Sequence, residues 1–124
     1  MQIIISPAKK MRKKEFDFIP TKPLFEKRAN ELATFIKEYE VEDLKQAFKC
    51  SDKIAYDVFE MYNNFGKDTH PALFLYDGLQ YKNIDVSTLQ EKEIAFLNEN
   101  LFIADSLYGL LRSTDLISPY RLDF

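Results

Sequence analysis

Residues 2–9 read QIIISPAK and contain the first strand that the sequence predicts. Three consecutive β-branched residues, 3–5, favour a pleated backbone, and Pro7 cannot continue a central ladder because it has no N–H group to donate. The sequence therefore predicts a short buried strand over 2–6. An irregular loop is expected over 7–21.

Apolar residues then recur at helical spacing in two segments, with a shorter predicted helix between them. Pro23 suits a helix start and predicts a helix over 23–39, and a shorter helix follows over 42–48. Ser51 is a natural cap for the third helix, which is expected to end at Gly66. The apolar stripe of this third helix consists of Ile54, Val58, Met61, Tyr62 and Phe65.

Two later runs have the composition of buried strands. Residues 72–76 are continuously apolar or aromatic between Pro71 and Gly78, which predicts a strand, with a second extended piece over 79–81. Residues 101–104 are again short and apolar and predict a further strand.

The pattern Ser87-x-x-Gln90 resembles a capping box and predicts a helix over 88–99. Strands and helices thus alternate along the chain without a linker or repeat. The sequence therefore predicts one domain over residues 1–124, of the α/β (α+β) class.

Composition excludes several classes of protein. With 46% apolar and 30% charged residues, the chain is expected to be a soluble globular domain. Gly66, Gly78 and Gly109 lie too far apart for a nucleotide-binding glycine loop. One cysteine, Cys50, and one histidine, His70, exclude zinc fingers and disulfide scaffolds, and no cofactor is expected. No run approaches the ~18 apolar residues of a membrane span, so a cytoplasmic location is expected.

Positive charge is concentrated at the start of the chain. Residues 1–30 carry a net charge of +5, whereas residues 31–124 carry −8. A basic loop directly after a strand suits a phosphate or an acidic partner, and the alternative is a solvated loop that keeps the chain soluble. The basic cluster consists of Lys9, Lys10, Arg12, Lys13 and Lys14.

Four segments together resemble the YaaA family of bacterial peroxide-resistance proteins. The strongest are IIISPAK at 3–9 and LYGLLRSTDLISPYRLDF at 107–124. Between them, SDKIA at 51–55 is similar to a family segment, and YDGLQY at 76–81 is a looser counterpart of a family turn.

The resemblance implies a cytoplasmic bacterial protein that limits free intracellular iron during peroxide stress and so protects DNA. It also implies a compact fold with a short mixed sheet surrounded by helices, and sequence-independent DNA binding. Family members are longer, so the chain is expected to be an N-terminal portion. We therefore expect exposed apolar surface and self-association through an uncovered sheet edge or face.

A helix-hairpin-helix element is implied at the third helix. Residues 44–48 would end its first helix, 49–51 would form the hairpin, and 52–65 the second helix, with Ala55 packed closely. Lys49 and Ser51 replace the two hairpin glycines, and the alternative is an ordinary serine-capped helix. The predicted DNA-binding or phosphate-binding set is Lys9, Lys10, Arg12, Lys13, Lys14, Lys49, Ser51 and Lys53.

A second hypothesis is a small-molecule or phosphate site, in an enzyme or a binding protein. Its predicted pocket consists of Ser6, Lys9, Arg112, Asp115, Tyr120 and Arg121, which requires the two ends of the chain to converge. Arginine–aspartate pairs that tie a loop to the core are the alternative. No catalytic residue is assigned, His70 is expected to be solvent-exposed, and one histidine cannot supply a two-histidine iron triad.

Overall fold

The computed structural model describes residues 1–122. The first half of the chain contains three helices: α1 (Glu26–Lys37), α2 (Val41–Phe48) and α3 (Asp52–Asn63). All three were predicted. The Ser51 cap is also confirmed, because its hydroxyl oxygen accepts the N–H of Ile54 at 3.2 Å.

Three of the strands form a mixed sheet. Strand β1 (Ile3–Ile5) runs parallel to β3 (Leu101–Asp105), and β3 pairs antiparallel with β4 (Gly109–Arg112). A two-stranded ribbon joins β2 (His70–Pro71) to β5 (Leu116–Ile117). The fold is therefore α+β, as predicted, and its first and third strands lie where the sequence placed them.

The predicted strand over 72–76 is wrong. Ala72–Leu75 forms a short helix, α4, and each of its four residues is at most 4% exposed. A short apolar run buried on every side has no polar face, so its periodicity does not distinguish a strand from a helix. The N–H groups of Ala72 and Leu73 donate to the carbonyls of Asp115 and Ser113.

Two neighbouring predictions also need correction. The extended piece expected over 79–81 is the start of helix α5 (Leu79–Ile84). Helix α6 (Glu91–Asn100) begins after a capping box formed by Gln90 and Glu93, whereas the Ser87 hydroxyl donates to Asp85 at 2.6 Å. A 3₁₀ turn at Val86–Thr88 separates these two helices.

Strand β1 is not buried as expected. It lies at one edge of the three-stranded sheet, where Ile3 is 41% and Ile4 66% exposed. Its third residue, Ile5, packs against the core. An edge strand is covered by a neighbour on one side only, so β-branched residues do not by themselves ensure burial.

The closing segment is bound to distant parts of the chain. Thr21 exchanges two backbone hydrogen bonds with it, donating to the Thr114 carbonyl at 3.0 Å and accepting from Leu116 at 2.8 Å. The Tyr62 hydroxyl of α3 donates to the Arg121 carbonyl at 2.8 Å. These contacts attach the closing segment to the early loop and to α3. Within residues 1–122, no helix is long and apolar enough to cross a membrane.

Candidate functional site

A cavity of about 210 Å³ opens where the parallel strands β1 and β3 both end. Carboxyl ends of neighbouring parallel strands are where α/β proteins place ligands. The segment after β1 contributes Pro7, Ala8 and Lys9, and the closing segment contributes Tyr120 and Arg121. Two parts of the chain more than a hundred residues apart therefore meet around one small space.

Asp105, the last residue of β3, lies at the centre of this site, and the sequence analysis did not single it out. One carboxylate oxygen accepts the backbone N–H groups of Leu107 at 3.1 Å and Tyr108 at 2.7 Å. The other accepts the hydroxyl of Tyr120, which also hydrogen-bonds the Tyr76 hydroxyl at 2.8 Å. Asp105 therefore orients Tyr120 in the cavity wall and holds the β3–β4 turn. The signal available in the sequence was an acidic residue directly after a predicted strand.

Three buried tyrosines contact Tyr120 or Ser6 at this site: Tyr76, Tyr81 and Tyr108. Burial raises the pKa of Tyr76 and Tyr81 well above the ordinary value, and raises the pKa of Tyr108 to about 12. These phenols therefore remain protonated hydrogen-bond donors at neutral pH. The hydroxyl of Tyr81 donates to the carbonyl of Ser6 at 2.7 Å, which fixes the chain where it leaves β1.

Replacing Asp105 with asparagine is expected to change how stability depends on pH. Burial raises the pKa of Asp105, so the folded chain keeps this proton to a higher pH than the unfolded chain, in which an aspartate titrates near ~3.9. The free energy of unfolding therefore falls as pH rises from about 4 towards the raised pKa, and Asp105→Asn removes this contribution.

Urea denaturation of both proteins between about pH 3.5 and pH 7 measures the difference. Asp68 serves as a control of opposite sign, because its hydrogen bond to Lys13 lowers the pKa of its carboxyl. The stabilisation contributed by ionised Asp68 is lost as pH falls. Asp68→Asn should therefore remove a contribution to the free energy of unfolding that increases with pH. If the free energy of unfolding depends on pH in the same way in wild type and in Asp105→Asn, the raised pKa of Asp105 does not contribute to stability and the prediction is wrong.

Arg112 and Asp115 form a separate ion pair away from the cavity lining, in which the Arg112 side chain is 28% exposed. The Asp115 carboxylate is fully buried and accepts from the Arg112 guanidinium at 3.0–3.1 Å and from the Thr21 hydroxyl at 2.6 Å. Arg112 also donates to the Lys22 carbonyl at 2.8 Å. The structure therefore uses this pair to tie the early loop to the closing segment. Of the six residues predicted for the pocket, Lys9, Tyr120 and Arg121 line the cavity and Ser6 lies beside it.

The basic cluster lies on a segment whose backbone is held in place. The N–H of Arg12 donates to the Leu75 carbonyl at 2.7 Å, and the Lys10 carbonyl accepts the N–H of Asp77 at 2.9 Å. Lys14 donates to the Tyr76 carbonyl at 3.1 Å, and burial lowers the pKa of its ammonium.

The remaining cations of this cluster are at the surface. Lys13 forms an ion pair with Asp68, and the side chains of Lys9, Lys10 and Arg12 are exposed. His70 is not solvent-exposed as expected, because its side chain is only 16% exposed and contacts Asp68 at 2.8 Å.

The turn between α2 and α3 contains the residues predicted for the hairpin. Lys49 has a positive φ of 51°, a left-handed conformation that glycine adopts more easily, and Ala55 is fully buried one turn into α3. Lys49 and Lys53 are exposed, while Ser51 is engaged as the helix cap. Asp52 forms an ion pair with Lys45 at 2.9 Å in the first turn of α3. In residues 1–122, no three His, Cys, Asp or Glu side chains lie together as a metal-ligand set.

Comparison with known proteins identifies the family. The family model described as "Peroxide stress protein YaaA" matches residues 1–124. A UPF0246 protein of Finegoldia magna is 46% identical over all of this chain and 51% of its own length. UPF0246 proteins of Francisella tularensis subsp. novicida and Pediococcus pentosaceus are 35% and 37% identical over 99% of the chain. These matches cover 52% and 50% of the two relatives, so the chain spans about half the length of the curated relatives it matches. On this evidence, the chain belongs to the YaaA family of peroxide stress proteins.

Proposed function

We propose that this chain acts in cytoplasmic peroxide defence by binding the phosphate backbone of DNA through its basic segment, residues 9–14. The observation that carries the proposal is the fixed backbone of this segment, which presents Lys9, Lys10 and Arg12 at the surface. Membership in a peroxide stress family supports the cellular role. Contacts of this kind depend on charge and not on base sequence.

Two structural features support the binding of a long phosphate-bearing partner by this segment. Backbone hydrogen bonds from Arg12 and Asp77 already order the segment, so binding costs little further conformational entropy. Lys49 in the α2–α3 turn and Lys53 in the first turn of α3 are exposed and supply further positive charge for a long anion. A DNA duplex is such an anion, with one charge per ~1.7 Å of its axis.

The proposal extends to iron only indirectly. With a single histidine, His70, the chain cannot supply the two-histidine, one-carboxylate set typical of non-haem iron enzymes. We therefore propose that an effect of this chain on free iron would not depend on an iron centre of that type. Shielding of bound DNA is the contribution assigned to residues 9–14.

The DNA proposal predicts a strong dependence on salt. A fluorescently labelled duplex should bind the chain at about 50 mM salt, and two duplexes of unrelated sequence should bind equally well. The triple variant Lys9→Gln, Lys10→Gln, Arg12→Gln should weaken binding roughly tenfold or more. It should also reduce the slope of log affinity against log salt by about 0.9 for each phosphate that the variant no longer neutralises.

A matched control removes three positive charges elsewhere. The control is the triple variant Lys27→Gln, Lys37→Gln, Lys92→Gln, whose substitutions lie on α1 and α6. It changes the net charge by the same amount as the first variant, and it should keep the wild-type slope of log affinity against log salt. The absence of binding at about 50 mM salt, or the same weakening in both variants, would show that the basic segment does not bind DNA.

A second candidate function is the binding of a small anionic ligand in the cavity at the strand ends. The specific observation is the convergence of Lys9, Tyr120 and Arg121 around that cavity. Addition of inorganic phosphate at constant ionic strength distinguishes the two candidates. If phosphate raises the melting temperature of wild type but not of Tyr120→Phe, and DNA does not bind, the cavity is the functional site.

A further inference from the structure

A groove of about 450 Å³ lies on a part of the surface that neither candidate function uses. It runs between the loop at 15–18 and the segment at 86–94, which includes the 3₁₀ turn and the first turn of α6. Phe74 of α4 and Val86 form its floor, and they are 4% and 7% exposed. The floor is therefore apolar and belongs to the core.

A row of aromatic rings connects this floor with the surface. The ring of Phe18 lies between those of Phe16 and Phe74, with centroid distances of 5.2 Å on both sides. Tilted contacts at this distance are favourable and hold the rings in place. Phe16, at the outer end, is 37% exposed. The groove thus presents a preformed aromatic wall to a partner.

Carboxylates occupy the rim. Glu15 and Asp17 flank Phe16 in the chain, and Glu91 lies opposite at the start of α6. All three are exposed, and within residues 1–122 none of them makes an ion pair or a side-chain hydrogen bond. Three negative charges around an apolar floor attract a partner that has apolar and positively charged groups side by side.

We propose that this groove docks a short polypeptide segment that has an aromatic or aliphatic side chain flanked by lysine or arginine. The apolar side chain would lie on Phe74 and Val86, and the flanking cations would face Glu15, Asp17 and Glu91. Charge complementarity excludes DNA as the occupant, because the rim repels phosphate. The proposal is independent of DNA binding, since it involves no residue of the basic cluster.

The probe for the test is the peptide acetyl-Lys-Phe-Leu-Arg-amide carrying an uncharged dye, and the readout is fluorescence anisotropy with the whole chain. Saturable binding is expected below about 1 mM, with affinity at least threefold weaker when salt is raised from about 50 to about 300 mM. The matched peptide with glutamate in place of lysine and arginine should not bind.

Two sets of substitutions separate the apolar and charged contributions. The double variant Asp17→Asn, Glu91→Gln should weaken binding severalfold and reduce its salt dependence. Phe16→Ser should weaken binding and leave the salt dependence unchanged. The control variant Glu31→Gln, Glu38→Gln, which removes two exposed carboxylates from the region of α1, should bind as wild type does.

Four results would overturn the proposal. The first is a lack of saturable binding by the basic peptide, and the second is equal binding of the basic and acidic peptides. The third is that the groove variant and the control variant weaken peptide binding equally. If the groove substitutions instead change the self-association of the chain in sedimentation, with no effect on the peptide, the occupant is a second copy and the proposal is wrong.

Discussion

Asp115→Ala is expected to lower the free energy of unfolding by about 3–5 kcal/mol, which approaches the whole stability of a small domain. Asp115 is fully buried and accepts the backbone N–H of Arg112 at 2.8 Å, the Arg112 guanidinium and the Thr21 hydroxyl. Its removal leaves a partly buried cation and buried donors without a partner, and loosens the tie between the early loop and the closing segment.

Urea denaturation followed by circular dichroism measures this decrease. The control is Asp57→Ala, because Asp57 is an exposed aspartate on α3 and its replacement should change stability by no more than about 0.5 kcal/mol. If Asp115→Ala folds as stably as the control, the pair contributes nothing net and the loop is held by its backbone hydrogen bonds alone.

The chain is expected to self-associate at high concentration, and Ile4→Lys is expected to weaken that association tenfold or more. Among the strands described, β1 pairs with β3 on one edge only, so its other edge offers unpaired backbone groups. Ile3 and Ile4, at 41% and 66% exposed, add apolar surface beside that edge. A lysine on an edge strand opposes pairing because its charge would be desolvated.

Sedimentation equilibrium over a wide concentration range gives the association constant for each protein. Ile19→Lys is the matched control, since Ile19 is 90% exposed but lies outside every strand. A wild-type chain that stays monomeric throughout the range, or equal effects of the two lysines, would rule out β1 as the contact.

Local signals in the sequence determined the three helices of the first half of the chain, α1, α2 and α3. The stripe of α3 and its Ser51 cap are contacts between residues at most a few turns apart, so neighbouring residues suffice to specify them. The same reasoning placed α1, α2 and the strands β1 and β3 within a few residues of their observed bounds. The longer motifs at 3–9 and 107–124 were enough to indicate the family, which the comparison confirmed.

Only the tertiary structure decided what those elements bury and where the polar residues meet. Residues 72–75 are buried on every side, so their sequence alone does not distinguish a helix from a strand, and β1 is exposed because its place in the sheet is an edge. Neither property depends on neighbours in sequence.

The candidate site depends on tertiary structure most of all. Asp105 acquires its partners from a turn and from Tyr120, and Lys9 reaches the same cavity only because β1 and β3 run parallel. Arg112 and Asp115 are as polar as the residues that line the cavity. They instead hold the early loop against the closing segment, because Thr21 hydrogen-bonds to Asp115. The sequence by itself determined which residues were available for these sites, whereas strand pairing and burial decided which of them form a cavity and which hold the chain together.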